Sequence, residues 1–243
     1  MKLKVENVAC SFDGSIIMKD VNIGAEKGQF VSILGPSGCG KSTLLNIISG
    51  VFVGDRGDIF VDDKKVEGIS EHFAYMPQQD LLFPWKNILE NVCLYGKING
   101  CYQDVRQKAL ESFEKFGLAG YEKKYPSQLS GGMRQRAAFL RTAMCKAEIL
   151  LLDEPFGALD VITRGQMQDW LLDIKGELDR TIVMVTHDID EAIYLSDKIY
   201  VLAGKPAGIV AEINVSSDER SKEWLFRQQE LKNNIYHLLQ KGL

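Results

Sequence analysis

Long apolar runs and an excess of basic charge are both missing from this chain of 243 residues. No stretch approaches the roughly 18 consecutive apolar residues of a membrane span, so we expect any membrane association to depend on a partner. The net charge of −4 gives no global indication of nucleic-acid binding. Internal repeats and low-complexity segments are missing too. With 45% hydrophobic and 26% charged residues, the composition is typical of a globular protein with one large domain or two lobes around a shared core.

Cysteine pairs at metal-binding spacing are also missing. The five cysteines are odd in number and form no C-x-x-C pair. The opening residues, MKLKVENVACSF, alternate like a strand and lack the apolar region of a secretory signal. We therefore expect reduced thiols in the cytosol rather than disulfides or a metal site.

A glycine-rich loop is the most informative stretch that is present. Residues 35–42 match G-x-x-x-x-G-K-[ST], between an apolar strand and an apolar-periodic helix. Glycines let backbone N–H groups turn inward around a phosphate, and the helix N-terminus adds the positive end of its dipole. Lys41 supplies charge for the β- and γ-phosphates, and the Ser42 hydroxyl is a ligand for Mg²⁺. The nucleotide-binding residues predicted in this phosphate loop are Gly35, Pro36, Ser37, Gly38, Cys39, Gly40, Lys41, Ser42 and Thr43.

Hydrophobic periodicity predicts that a helical block interrupts an α/β core. Strands are predicted at 3–12, 21–25, 29–34, 59–66 (a hairpin), 74–76, 149–152, 181–186, 198–202 and 208–213. Helices are predicted at 86–95, 103–117, 131–146, 161–179, 188–195 and 221–242. We interpret the last helix as packing on the domain's own surface, with a partner or regulatory contact as the alternative.

Acidic residues complete the predicted site at the end of a second buried strand. Four apolar residues in ILLLDEP deliver Asp153 to the carboxyl end of that strand, where an acid can hold Mg²⁺. Glu154 follows at once and is placed to polarise a water molecule. His187 ends the strand TIVMVT, so it lies at the same edge and could donate a hydrogen bond to a γ-phosphate.

Five motifs in a fixed order resemble the ATP-binding subunit of an ABC transporter. They are GPSGCGKST (35–43), LSGGM (129–133), ILLLDEP (149–155), GALD (157–160) and VTHD (185–188). The resemblance covers roughly residues 2–212. Within the family, QQDLLFPW, LSGGMRQR and DEPFGALD are most similar to the importer ATPases of the nitrate, sulfonate, taurine and pyrimidine-precursor group.

The fold that this resemblance implies is α/β, a RecA-like P-loop NTPase core with an N-terminal antiparallel β-subdomain and an inserted α-helical subdomain. Residues 1–85 and 147–212 would form the core with its β-subdomain. Residues 86–146 would form the helical subdomain that carries the signature motif, and 213–243 a helical tail. The whole of 1–243 would be a single ABC ATPase domain.

The resemblance also assigns roles to residues outside the phosphate loop. Phe12 resembles the aromatic that stacks on adenine, and Gln78, rather than Gln79, resembles the glutamine that contacts Mg²⁺ and the water. Asp160 resembles the aspartate at the dimer seam, and His187 resembles the switch histidine. The residues that would close over the nucleotide of the opposite subunit are Ser130, Gly131 and Gly132.

The implied function is ATP hydrolysis, with Mg²⁺, by a homodimer that drives solute uptake. Glu154, His187, Lys41 and Gln78 would be catalytic, and Ser42, Gln78 and Asp153 would hold the metal. The expected partners are integral-membrane permease subunits and, indirectly, an extracytoplasmic substrate-binding protein. The chain would then be cytoplasmic and peripheral on the inner face of the cell membrane.

The apolar residues Phe83, Pro84 and Trp85 lie between polar stretches and suit a groove on the permease, with internal packing of the helical lobe as the alternative. Three other functions stay open: an exporter or membrane-remodelling ATPase, a non-transport ABC ATPase, and a regulatory module that binds ATP without turnover. Tandem cassettes or a long coiled coil would mark the second, and this chain has neither. Glu154 and His187 argue against the third.

Overall fold

The computed structural model of the chain describes residues 1–157, 159–217 and 220–241, and two β-sheets form the centre of these residues. Ala158 of the GALD motif and residues 218, 219, 242 and 243 of the predicted tail lie outside the described residues. The strands are β1 (Leu3–Phe12), β2 (Ser15–Ala25), β3 (Phe30–Leu34), β4 (Arg56–Val61), β5 (Lys64–Val66), β6 (Phe73–Met76), β7 (Ile149–Asp153), β8 (Thr181–Thr186), β9 (Lys198–Ala203) and β10 (Gly208–Asn214). The helices are α1 (Lys41–Ile48), α2 (Ile88–Val92), α3 (Leu94–Ile98), α4 (Tyr102–Phe113), α5 (Gly131–Ala143), α6 (Val161–Leu178), α7 (Ile189–Leu195), α8 (Lys222–Phe226) and α9 (Gln229–Lys241).

The larger sheet has six strands in the order β10-β9-β3-β8-β7-β6. Its five strands from β9 to β6 are parallel, and β10 is antiparallel at the edge. The smaller sheet is antiparallel, with the order β2-β1-β4-β5. Because neighbouring parallel strands end at the same edge, the segments after β6, β3, β7 and β8 all meet there.

The central strands are buried on both faces, as their continuous apolar runs predict. Side chains that point towards α1 and the smaller sheet are Val31, Ile33, Ile149, Leu151, Val183 and Val185. Side chains that point towards the other helices are Phe30, Leu34, Leu150, Leu152, Ile182 and Met184. Each is almost fully buried, and burial of one such side chain contributes about 1.5–3 kcal/mol.

Four of the predicted helices were wrong in extent, and the one predicted at 131–146 ends at Ala143. The region 86–95 contains two short helices, because Cys93 (φ −83°, ψ 9°) departs from helical geometry between α2 and α3. The helix predicted at 103–117 ends at Phe113, where the Leu118 N–H donates to the Phe113 carbonyl and closes the chain into a turn. The helix predicted at 221–242 is divided into α8 and α9. The tail packs on the domain's own surface, since Ile235 of α9 is fully buried.

Candidate functional site

The predicted phosphate loop joins β3 to α1 at the shared edge of the larger sheet. Gly40 precedes α1 with φ 99°, a backbone region that residues with a Cβ seldom adopt. The Lys41 side chain is 4% exposed, and its Nζ donates to the carbonyls of Gly35 (3.0 Å) and Pro36 (2.9 Å). The loop therefore holds its own cation against its first two residues.

A cavity of about 430 Å³ opens beside the phosphate loop. It is lined by Phe12, Ile17, Ser37, Gly38, Gly40, Lys41, Ser42, Thr43, Gln78 and Glu154. Phe12 is 43% exposed, with its ring centroid 5.1 Å from that of Phe52, so one face of an aromatic ring is available at the cavity. Ile17 has no special sequence context and was not predicted.

Three of the predicted loop residues do not line this cavity. Gly35 and Pro36 contribute their carbonyls to Lys41 instead. Cys39 lines a separate cavity of about 360 Å³, and its Sγ lies 3.9 Å from the Leu202 carbonyl. Burial raises the pKa of the Cys39 thiol.

The acid at the end of β7 is bound by two hydroxyl groups. Asp153 Oδ1 accepts a hydrogen bond from the Ser42 hydroxyl (2.9 Å), and Oδ2 accepts one from the Tyr75 hydroxyl (3.0 Å). Burial raises the pKa of Asp153, and burial beside that carboxyl group also raises the pKa of Tyr75. The structure thus brings Ser42 and Asp153 together as predicted. Tyr75 was not predicted, because the sequence does not say which strand lies beside β7.

Glu154 is the meeting point of the remaining predicted catalytic residues. Its Oε1 lies 3.6 Å from Lys41 Nζ, and its Oε2 lies 3.1 Å from His187 Nδ1 and 3.3 Å from Gln78 Nε2. Its own φ of 42° is rare for a residue with a Cβ and is held by a hydrogen bond from its N–H to the Val185 carbonyl. Three side chains from three other segments of the chain therefore converge on the Glu154 carboxylate.

The predicted signature residues do not line the cavity beside the phosphate loop of their own chain. Ser130 precedes α5, and its hydroxyl accepts a hydrogen bond from the Met133 N–H. Gly131 lines a second cavity, of about 580 Å³, which shares only Gln78 with the first. Asp160 caps α6 by accepting from the N–H groups of residues 162 and 163. Neither cavity is lined by Ser130, Gly132 or Asp160.

Behind His187 lies a buried carboxyl group that was not predicted. Glu191 Oε2 accepts a hydrogen bond from the Thr186 hydroxyl (2.6 Å), whose oxygen accepts one from the Asp188 N–H (3.1 Å). Burial raises the pKa of Glu191 to about 7. Its position after the Asp188 cap resembles an ordinary first-turn acid, so the sequence gives little indication of its burial.

The aromatic turn at 83–85 is exposed at its tip. Trp85 is 70% exposed, and its ring centroid lies 5.2 Å from that of Phe83. The turn is held from below by Asn91, which is fully buried and was not predicted. Its side chain accepts from the Phe83 N–H and donates to the carbonyls of Phe83, Lys86 and Asn87.

Comparisons with known proteins agree with these observations. A family model described as ABC transporter matches residues 18–157. The chain is 42% identical over 214 residues to the aliphatic sulfonates import ATP-binding protein SsuB of Bacillus thuringiensis, and the match covers 87% of this chain and 84% of that protein. It is 41% identical over 212 residues to the nitrate import ATP-binding protein NrtD of Synechocystis, covering 86% of this chain and 80% of that protein.

Solved structures share the fold. The dimeric post-hydrolysis structure of the ATP-binding cassette MJ0796 bound to ADP and Pi matches with a TM-score of 0.75 at 31% identity, covering 88% of this chain and 99% of that chain. A structure of cbiO1 from Clostridium perfringens, described as part of an ABC transporter complex, matches with a TM-score of 0.79 at 26% identity, covering 98% of each chain. The predicted fold class and the predicted resemblance are both confirmed.

Proposed function

The chain belongs to the ABC transporter family, and from that premise we propose that it is the ATP-hydrolysing subunit of an importer, driving solute uptake through a separate membrane permease. The observation that carries the proposal is the convergence of Lys41, Gln78 and His187 on the Glu154 carboxylate beside the phosphate loop. A phosphate-binding loop that faces a carboxylate is an arrangement for the attack of water on a phosphate. The relatives named as import ATP-binding proteins support the direction of transport.

In the proposed reaction Glu154 accepts the proton of the attacking water as that water approaches the γ-phosphate. Gln78 and His187, within 3.3 Å of the same carboxylate, hold it in position and orient the water. On ATP binding, Lys41 would exchange its carbonyl contacts for phosphate oxygens. Its ammonium group and the His187 imidazole would stabilise the charge that develops there.

Ser42 and Asp153, with Gln78 as a further ligand, are the residues that would hold Mg²⁺. Their hydroxyl and carboxylate oxygens lie 2.9 Å apart and are the hard donors that this cation prefers. No group of three or more His, Cys, Asp or Glu side chains able to hold a metal occurs among the described residues, which suits a cation held partly by nucleotide phosphates. When bound, Mg²⁺ would neutralise charge on the phosphate oxygens.

Two copies of the chain would face each other head to tail. Each ATP would then lie between the phosphate loop of one subunit, with Phe12 on its adenine, and residues 130–132 of the other, with Asp160 at the seam. Support comes from the cavity beside the phosphate loop, whose lining does not include residues 130–132 of the same chain, and from the dimeric structures of the related cassette. In each copy, residues 86–146 would act as a helical subdomain on a core of 1–85 and 147–212, with 213–243 as the tail.

The permease would contact the exposed turn of Phe83, Pro84 and Trp85. An exposed tryptophan on a turn that is fixed from below suits insertion into a groove of a partner. No helix among the described residues is long and apolar enough to cross a bilayer. We propose that the chain is held at the cytoplasmic face of the cell membrane by its permease, and that an extracytoplasmic binding protein delivers the solute on the other side.

The proposal is tested by replacing Glu154 with glutamine. Glu154→Gln should lower phosphate release from Mg-ATP by about 10²-fold or more, because a carboxamide cannot take the proton, while ATP binding survives. The matched control is Glu148→Gln, the same change just before the amino end of the same strand, which should leave the rate unchanged. Near-normal phosphate release from the Glu154→Gln variant would remove Glu154 from the mechanism.

A further inference from the structure

Two arginines on one face of α5 hold the turn that follows Gln78. Arg134 Nε donates to Asp80 Oδ2 (3.0 Å), and Arg134 also donates to the carbonyl of Leu129, two residues before its own helix begins (3.0 Å). Arg141 uses two nitrogens, one to the Asp80 carbonyl and one to the Leu81 carbonyl, both at 2.7 Å. Because the two arginines are seven residues apart, they lie on the same side of the helix two turns from each other.

The held segment has an unusual and well-defined backbone. Leu81 has φ 43°, which a large side chain rarely adopts, and Asp80 Oδ1 accepts a hydrogen bond from the Leu82 N–H. A backbone of this kind persists only where surrounding contacts determine it. Here those contacts are the two arginines of α5.

The segment lies between the parts of the molecule that must work together. Gln78, two residues before Asp80, touches Glu154 in the nucleotide cavity. Trp85, five residues after Asp80, is the exposed tip of the aromatic turn. Residues 130–132 begin α5 itself. One segment thus links the nucleotide cavity, the aromatic turn and the signature residues.

We propose that Asp80, Arg134 and Arg141 form a clamp that makes the turn after Gln78 and helix α5 move as one unit. The inference rests on the proposed function, since it concerns how the binding of ATP at the phosphate loop changes the position of residues 130–132. A displacement of Gln78 on ATP binding would carry α5 with it, and the signature residues would be set for the opposite subunit. Asp80 and Arg134 are positioning residues in this arrangement, because neither lines the cavity beside the phosphate loop.

The test is a double-mutant cycle on the full-length chain with Mg-ATP. Asp80→Asn keeps the hydrogen bond to the Leu82 N–H but removes the charge, and Arg134→Gln removes the other partner. Each variant should lower kcat by about three- to tenfold, leave the KM for ATP within about twofold, and leave the melting temperature nearly unchanged, because partly exposed ion pairs contribute little to stability. The double variant should be no slower than the slower single variant, because both changes break the same contact.

The exposed pair of Asp58 and Lys65 in the smaller sheet (2.8 Å) is a matched control, and Asp58→Asn with Lys65→Gln should not change kcat. Wild-type kcat in both clamp variants, or losses that multiply in the double variant, would overturn the clamp while Glu154→Gln still abolished turnover. If the wild-type chain released no phosphate at all, the proposed function would fail and the clamp with it.

Discussion

Glu191 shows how one buried carboxyl group can make the stability of the whole chain depend on pH. The residue is 4% exposed, and its nearest cation, Arg164 Nε, lies 3.8 Å from Oε1, too far for a hydrogen bond. Burial therefore outweighs pairing and raises the pKa of Glu191 from 4.5 to about 7. The hydrogen bonds through Thr186 to the Asp188 N–H tie this carboxyl group to the turn that carries His187.

We predict that Glu191→Gln removes a pH dependence of the free energy of unfolding. Between about pH 4.5 and 7 the folded chain keeps a proton that the unfolded chain releases, so this group's contribution to stability is full below pH 4.5 and is lost as the pH rises to about 7. The loss amounts to roughly 3 kcal/mol. Glutamine keeps an acceptor for Thr186 but does not titrate. The free energy of unfolding of the variant should therefore increase relative to that of the wild type as the pH rises.

Urea denaturation of both proteins at pH 5, 6, 7 and 8 measures this difference. Subtracting one protein from the other cancels the titration of other groups, such as Glu148, whose pKa is lowered by its hydrogen bond from Lys2. A difference in the free energy of unfolding that stayed constant across the series would show that Glu191 is ionised in the folded chain throughout.

At the scale of elements, α5 and α6 approach each other where Gly132 meets Thr163. A Cβ added to Gly132 would lie 2.3 Å from Thr163 Cγ2, and a β-branched side chain in a helix has little freedom to turn away. Gly132 is thus required for packing, whatever it does for a nucleotide. The same close approach fixes the start of α5, and with it Ser130, against the start of α6.

We predict that Gly132→Ala destabilises the fold by about 1–3 kcal/mol through overpacking. The second change Thr163→Ala removes the clashing methyl group, and the next atom is Thr163 Cβ at 3.7 Å, an ordinary contact. Thermal unfolding should therefore show a lower melting temperature for Gly132→Ala and a partial return for the double variant. Equal melting temperatures for Gly132→Ala and the wild type would mean that the two helices can move apart without a loss of stability.

Elements with continuous apolar runs were predictable from the sequence, and breaks within periodic stretches were not. Strand β8 was predicted to the residue, because TIVMVT places four consecutive apolar residues between two β-branched threonines. The sequence does not indicate that the helix breaks at Cys93, because an apolar residue at this position fits the helical period both before and after it. The same reasoning failed at residues 227–228, where the pattern continues from α8 into α9.

The chemical groups of the candidate site were predicted from the sequence, but the residues that surround those groups were not. Lys41, Asp153, Glu154 and His187 follow strands whose ends must meet, so their proximity follows from a parallel sheet. The position of Tyr75 beside Asp153 depends on strand order, and the burial of Glu191 depends on how deeply its helix lies in the core. Neither can be deduced from the spacing of residues in the sequence.

At the scale of the whole molecule, the cavity beside the phosphate loop is lined without the predicted signature residues 130–132. The loop, Gln78 and Glu154 line it, whereas residues 130–132 lie elsewhere in the same chain. The family to which the chain belongs includes a cassette solved as a dimer with ADP and Pi. If the proposed dimer forms, each active site is made of two chains, and two different defects can compensate each other in a mixture.

We predict such complementation between a phosphate-loop variant and a signature variant. Lys41→Met removes the loop cation. Ser130→Asp keeps a good cap for α5 but adds a negative charge where the triphosphate of the other subunit would lie. Each variant alone should release almost no phosphate. In an equal mixture half of the dimers are mixed, each with one intact site of two, so the rate should rise to roughly a quarter of the wild-type rate. A mixture of the two defective variants that stayed silent would exclude a site shared head to tail between chains.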